Sequence, residues 1–185
     1  MNRDFDQHYL SMNHFLADIE GRAFRMAQIA TSNRDDALEI VQDSMMKLVQ
    51  KYSHHHATEW KALFYSILNT RILDWHRRQV VRNRFRSWLN WHDIEDGESE
   101  DALEQHPISS NHEPDSRLQD EQFIKGLNTS LHMLPVRQQQ AFLLRVWEGL
   151  DINETASIMQ CSASSVKTHY ARALEKLREQ LEGHQ

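Results

Sequence analysis

Apolar residues recur along this chain at the helical spacing of three and four positions, and no stretch alternates in the two-residue period of a strand. The first periodic stretch runs from about Met12 to Thr31, with Phe15, Ile19, Ala23, Met26, Ala27 and Ala30 on one face. The second runs from about Arg34 to Tyr52 through Ala37, Ile40, Val41, Met45, Leu48, Val49 and Tyr52. A third begins near Thr58, read as an N-cap, and carries Trp60, Leu63, Phe64, Ile67, Leu68, Ile72 and Trp75. It extends past Arg78, and a further stretch spans about Phe85 to Trp91. Residues 92–118 break the period with Gly97, Pro107, Pro114 and several Ser and Asn, and read as a linker with little core of its own. Periodicity returns at Leu118, Phe123, Leu127, Leu131 and Leu134; Pro135 then opens a helix through Arg145, and Gly149 marks a turn.

Residues 151–178 read as a helix-turn-helix. Asp151 is a natural N-cap, with Glu154 three positions on to complete a capping box. Ile152, Ala156 and Met159 face inward, Gln160 and Cys161 make the turn, and Ser162 caps the next helix. That helix is expected to bury Val166, Tyr170, Leu174, Leu177 and Leu181, and to show Ser164, Ser165, Lys167, Thr168 and Arg172. Short polar residues at a helix N-terminus allow close approach to a DNA groove, and the terminus itself favours phosphate. Lys167 and Arg172 have the reach for phosphates or guanine edges, and the Thr168 methyl suits a thymine methyl. A helical hairpin with a merely solvated face has the same pattern, since two capped helices joined by a short turn are common.

Composition narrows the choice. The 185 residues hold 5 Gly and 3 Pro, which favours helices, and leave room for one ordinary domain or two small ones. No 18-residue apolar run exists and Met1 to His8 lacks an apolar segment, so neither a membrane span nor a secretory signal is expected, and the cytoplasm is the expected compartment. The lone Cys161 excludes an internal disulfide or a cysteine-based zinc cluster, and reads as a small turn residue. His54, His55 and His56 are adjacent on a loop, point different ways, and have no Cys, Asp or Glu at ligand spacing. No Gly-rich phosphate loop or nucleophile motif appears, so neither an enzyme nor a cofactor is expected.

Net charge is -6, but the charge is segregated. Trp60 to Asn90 holds seven bases against one acid, and Trp91 to Gln122 eleven acids against one base. Such blocks imply different partners for the two stretches. The expected architecture is all-α: a helical domain over 1–91, an acidic linker over 92–118 and a second helical domain over 119–185. A stand-alone helix-turn-helix regulator, with the first 90 residues as sensor or dimerisation part, is the alternative.

Several segments carry a family resemblance. Leu131-His-Met-Leu-Pro-Val-Arg-Gln-Gln-Gln-Ala-Phe-Leu-Leu-Arg145, Glu148-Gly-Leu150, Ser165-Val-Lys-Thr168, Arg172-Ala-Leu174 and Leu177-Arg178 resemble region 4 of bacterial RNA polymerase sigma factors. Asp36-Ala-Leu-Glu-Ile-Val-Gln-Asp-Ser-Met45 is similar to region 2.2, and Leu63 to Arg78 to regions 2.3 and 2.4. With only regions 2 and 4, the chain resembles the extracytoplasmic-function (ECF) group. It departs at Gln160, where the family usually has Gly, at Thr70 for Asn, at Leu63 for Trp and at His169 for Arg.

The resemblance implies a protein that binds core RNA polymerase and promoter DNA. It implies that Glu39, Gln42, Asp43 and Met46 dock on the clamp coiled coil of the polymerase. Trp60, Lys61, Thr70, Arg71, Asp74, Arg77 and Arg78 are the expected -10 contacts, with the His54–His56 loop near a captured unpaired base. Trp60 also sits on the apolar stripe, where it reads as a core aromatic. Arg137, Ser164, Ser165, Lys167, Thr168, His169 and Arg172 are the expected -35 contacts, Arg137 being equally well read as solvated. The acidic linker is expected to follow the family's route through the polymerase, and many relatives are held by an anti-sigma protein.

Overall fold

The computed structural model describes the backbone of residues 3–90 and 126–182, and side chains over 11–84 and 126–180. The 92–118 linker, and the expectations for Leu118, Phe123 and Leu181, lie outside these described residues. Within them the chain is all-α. Helix α1 is Arg3–Thr31, α2 is Arg34–Tyr52 and α3 is Ala57–Asn90. Residues 126–132 belong to α4. Helices α5 (Val136–Val146), α6 (Ile152–Met159) and α7 (Ala163–Glu182) complete the order. Among the described residues no helix is long and apolar enough to cross a membrane.

Helix α1 starts well before Met12. Residues 3–11 hold few apolar positions, so periodicity is faint there, but no Gly or Pro stops the helix. Ser32, in the left-handed region at φ 52°, ends α1, and Asn33 starts α2 by accepting from the Asp35 and Asp36 N–H groups at 2.8 and 3.0 Å. Those two acids also favour the positive end of the helix. Thr58 is not the cap of α3. That helix begins at Ala57, and Glu59 reaches back to accept from His56 N–H at 3.2 Å, which puts His56 in the cap position. The stretch from Phe85 to Asn90 is the end of α3 rather than a separate helix.

Helices α1, α2 and α3 pack on one another, as do α5, α6 and α7. The first set closes over Ile19, Met26, Leu48, Phe64 and Leu68, the second over Leu131, Leu144, Met159 and Val166. The expected stripe of α7 is off by one position. Leu174 is 38% exposed, and Ala173 is buried instead, with Val166 and Leu177. At about 100° per residue, positions 173 and 177 fall about 20° to either side of 166, while 174 lies about 80° away and turns outward.

The two sets also pack against each other, through α3 on α6 and α1 on α5. Their buried residues form one connected cluster. Three consecutive glutamines, Gln138, Gln139 and Gln140, are buried on α5. Gln139 Nε2 donates to Leu131 O at 2.9 Å, and Gln140 Nε2 to Asn69 O at 3.3 Å across the two sets.

Candidate nucleic-acid interface

The helix-turn-helix is built by local bonds that the sequence specifies. Asp151 accepts from the Asn153 and Glu154 N–H groups at 2.7 and 2.8 Å, and Glu154 accepts from Asp151 N–H at 2.7 Å, completing the capping box. Gln160 takes the left-handed conformation at φ 52° and ψ 49°. Its N–H reaches Ser157 O at 3.2 Å and Cys161 N–H reaches Ala156 O at 3.1 Å, which satisfies the last carbonyls of α6 and turns the chain into α7. Ser162 Oγ accepts from Ser165 N–H at 3.1 Å and lies 2.9 and 2.8 Å from the hydroxyls of Ser164 and Ser165.

The outer face of α7 carries the expected groups. Ser164, Lys167, Thr168 and Arg172 are exposed and Ser165 is half-buried. Thr168 Oγ1 donates to Ser164 O at 3.0 Å, which engages the hydroxyl and leaves the methyl for an apolar contact. His169 is half-buried, and burial, then Arg137 and Arg172, push its imidazole below the ordinary range. It is therefore a neutral residue at neutral pH, flanked by two guanidiniums. Arg137 is occupied within the fold: its Nη1 donates to Met159 O at 2.8 Å and ties α5 to the end of α6. Arg145, which also donates to Leu150 O, sits over the Tyr170 ring at 5.8 Å and braces the opposite side.

On α2, Glu39, Gln42 and Met46 are exposed, Met46 to 57%. Asp43 is drawn toward α3, where Arg71 Nη2 lies 3.7 Å from its carboxylate. A shallow groove follows, with Asp36, Glu39 and Asp43 on one wall and Arg71, Arg78 and Arg82 on the other. Along α3, Arg77 pairs with Asp74 at 3.0 Å, and Arg78, Arg82 and Arg84 are exposed beside the exposed Val80 and Val81. Thr70 is half-buried and donates to Ser66 O at 2.8 Å.

Trp60 must be removed from the DNA-contacting set. It is 1% exposed, with its ring 5.8 Å from that of Phe15, so stacking on a base would require unpacking the core between α1 and α3. Lys61 is engaged elsewhere: its Nζ donates to Glu148 O at 2.9 Å and lies 3.4 Å from the Glu148 carboxylate. In the histidine run, His55 Nδ1 lies 3.3 Å from Glu59, and the His54 and His55 rings are 4.8 Å apart. Among the described residues no group of three or more His, Cys, Asp or Glu is placed to hold a metal ion.

Sequence reasoning assigned no role to Glu148, Arg22 or Tyr65. The Glu148 side chain is 1% exposed, and Arg22 Nε lies 3.1 Å from it. The buried Tyr65 hydroxyl is pushed far above its usual range, by burial first and then by Glu148. No local pattern announces such a cluster, because its members come from α1, α3 and the α5–α6 turn.

Comparison with known proteins converges on one group. Residues 126–177 match the family described as Sigma-70, region 4. The chain is 30% identical over 159 residues to the RNA polymerase sigma factor SigV of Bacillus subtilis, covering 85% of this chain and 83% of that one. It is 23% identical over 152 residues to the ECF RNA polymerase sigma factor SigX of the same organism, covering 81% and 73%. Among solved structures, the sigma factor RpoE in complex with the anti-sigma factor NepR from Bartonella quintana superposes with a TM-score of 0.60 at 26% identity, over 97% of this chain and 98% of that one.

Proposed function

Since the chain belongs to the ECF RNA polymerase sigma factors, which bind core polymerase and direct initiation at -10 and -35 elements, we propose how its residues divide that work. Residues 1–91 act as the core-binding and -10 part, 92–118 as the acidic linker and 119–185 as the -35 part. Glu39, Gln42 and Met46 form the docking face for a polymerase helix, an apolar spot flanked by hydrogen-bonding groups. Arg77, Arg78 and Arg82 on the exposed flank of α3 grip upstream duplex phosphates. Ser164, Ser165, Lys167, Thr168 and Arg172 read the -35 element, with Arg137 and His169 supporting them from below. The chain supplies no chemistry of its own. An anti-sigma protein, as bound to the Bartonella relative, is included among its partners.

The observation that carries this reading is the outer face of α7. A capped helix-turn-helix presents two cations, a threonine methyl and a serine-rich N-terminus outward. Run-off transcription with bacterial core polymerase and genomic promoter fragments tests it. Discrete start sites are expected only when the protein is present. Lys167→Ala should lower -35-dependent initiation by about 1–3 kcal/mol if the ammonium reads a base edge, and about equally on all promoters if it grips phosphate. Footprinting by the protein alone, with no initiation and no core binding, would favour the stand-alone regulator.

A further inference from the structure

Glu148 sits in the turn between α5 and α6, yet its carboxylate is directed into the first helix set. Arg22 of α1 and Lys61 of α3 meet it at 3.1 and 3.4 Å, and Lys61 also donates to its backbone carbonyl at 2.9 Å. The carboxylate is 1% exposed, but the two cations are 53% and 41% exposed. Two cations converging on one oxyanion make an anion receptor. We infer that Arg22 and Lys61 form a phosphate-type receptor on the first helix set, and that Glu148 occupies it in cis, clasps the two sets together and competes with nucleic-acid phosphate for it.

The surrounding interface fits a reversible closure. A permanent interface is apolar at its centre. Beside its apolar contacts, this one buries Asn69 and Gln140, whose side-chain carbonyl oxygens find no hydrogen-bond partner among the described residues. Each regains water when the sets part, so closure carries a cost that opening removes. The clasp offsets part of that cost only while its charges are matched. Removing the carboxylate leaves two half-exposed cations without their counter-ion at the contact, which disfavours closure. Because the cations stay half-exposed, a competing phosphate reaches them at the rim before the sets separate.

The nucleic-acid half of the inference rests on the proposed reading of α3; the clasp itself does not. The test uses the full chain with Cys161→Ser and single cysteines at exposed Gln50 and Glu179, carrying a donor and an acceptor dye. The parent protein should give one high-transfer population. Glu148→Gln, which keeps shape and removes charge, should cut the closed-to-open ratio by about tenfold or more. Arg22→Gln should do the same, and serves if Glu148→Gln does not fold; helical content and melting check both. Unchanged transfer in the folded variants overturns the clasp. A short promoter duplex is then titrated in. Opening of the parent, reached at a lower duplex concentration in Glu148→Gln, supports the competition. Duplex bound with the parent still closed, or with equal midpoints, overturns the competition. Absence of any duplex binding sinks the reading of α3 and leaves the clasp to be judged on the free protein alone.

Discussion

Gln160 carries the main local strain of the helix-turn-helix. A residue with a Cβ in the left-handed region costs about 1–2 kcal/mol, and glycine adopts it freely. The turn tolerates Gln because Gln160 and Cys161 still satisfy the last carbonyls of α6. Gln160→Gly should therefore stabilise the protein by about 0.5–1 kcal/mol, after subtracting the extra freedom glycine brings to the unfolded chain. Urea unfolding measures it: a higher midpoint at unchanged slope is expected, and a lower midpoint would mean the glutamine side chain makes a contact worth more than the strain. The neighbouring His169 fits the same economy of space. Held neutral beside Arg137 and Arg172, it adds no third positive charge to a crowded face.

At the scale of the element, α6 shows how short helices survive here. It has 8 residues, too few to be stable alone, and leans on its caps and on burial of Ala156, Ile158 and Met159. Asp151→Ala removes two accepted N–H bonds and should cost about 1 kcal/mol, read as a lower urea midpoint. Glu154→Ala, which loses only the reach-back to Asp151 N–H, should cost less. These caps were legible in the sequence because they are contacts between residues two or three apart. So were the apolar stripes of α1, α2 and α3, which repeat at helical spacing over many turns. Legibility failed where the signal is thin. The start of α1 lacks apolar positions, Thr58 and His56 compete for one cap, and Ala173 and Leu174 differ by a single 100° step. Trp60 was ambiguous for another reason: an aromatic on an apolar stripe serves a core and a base equally well until its neighbours are known. The outward face of α7 was readable because surface groups need only the correct phase of one helix.

Across the whole molecule, the contact between the helix sets was the least legible part. Its members are separated by 71 to 110 positions in the hydrogen bonds from Gln140 to Asn69 and from Gln139 to Ile29, and no local rule pairs them. Histidines contribute to it as well. His132 Nδ1 lies 2.9 Å from Ile29 O and 2.8 Å from Ser32 Oγ, so with its proton on Nδ1 it caps the end of α1 from the other set. His76 on α3 is near enough to feel His132, and burial, then that neighbour, lower its pKa. A histidine whose folded-state pKa is depressed binds fewer protons folded than unfolded. Its full contribution is therefore present above the ordinary value of about 6.5 and is lost as pH falls through the lowered one. Acidification should loosen the contact between the sets, since charging His76 puts a cation at a half-buried site where its Nε2 has no hydrogen-bond partner among the described residues. Thermal unfolding at pH 7.5 and 5.0 tests this against His76→Gln, which cannot titrate. The parent should lose more stability than the variant between the two pH values. An equal loss would place the acid sensitivity in other groups and leave His76 a bystander to closure.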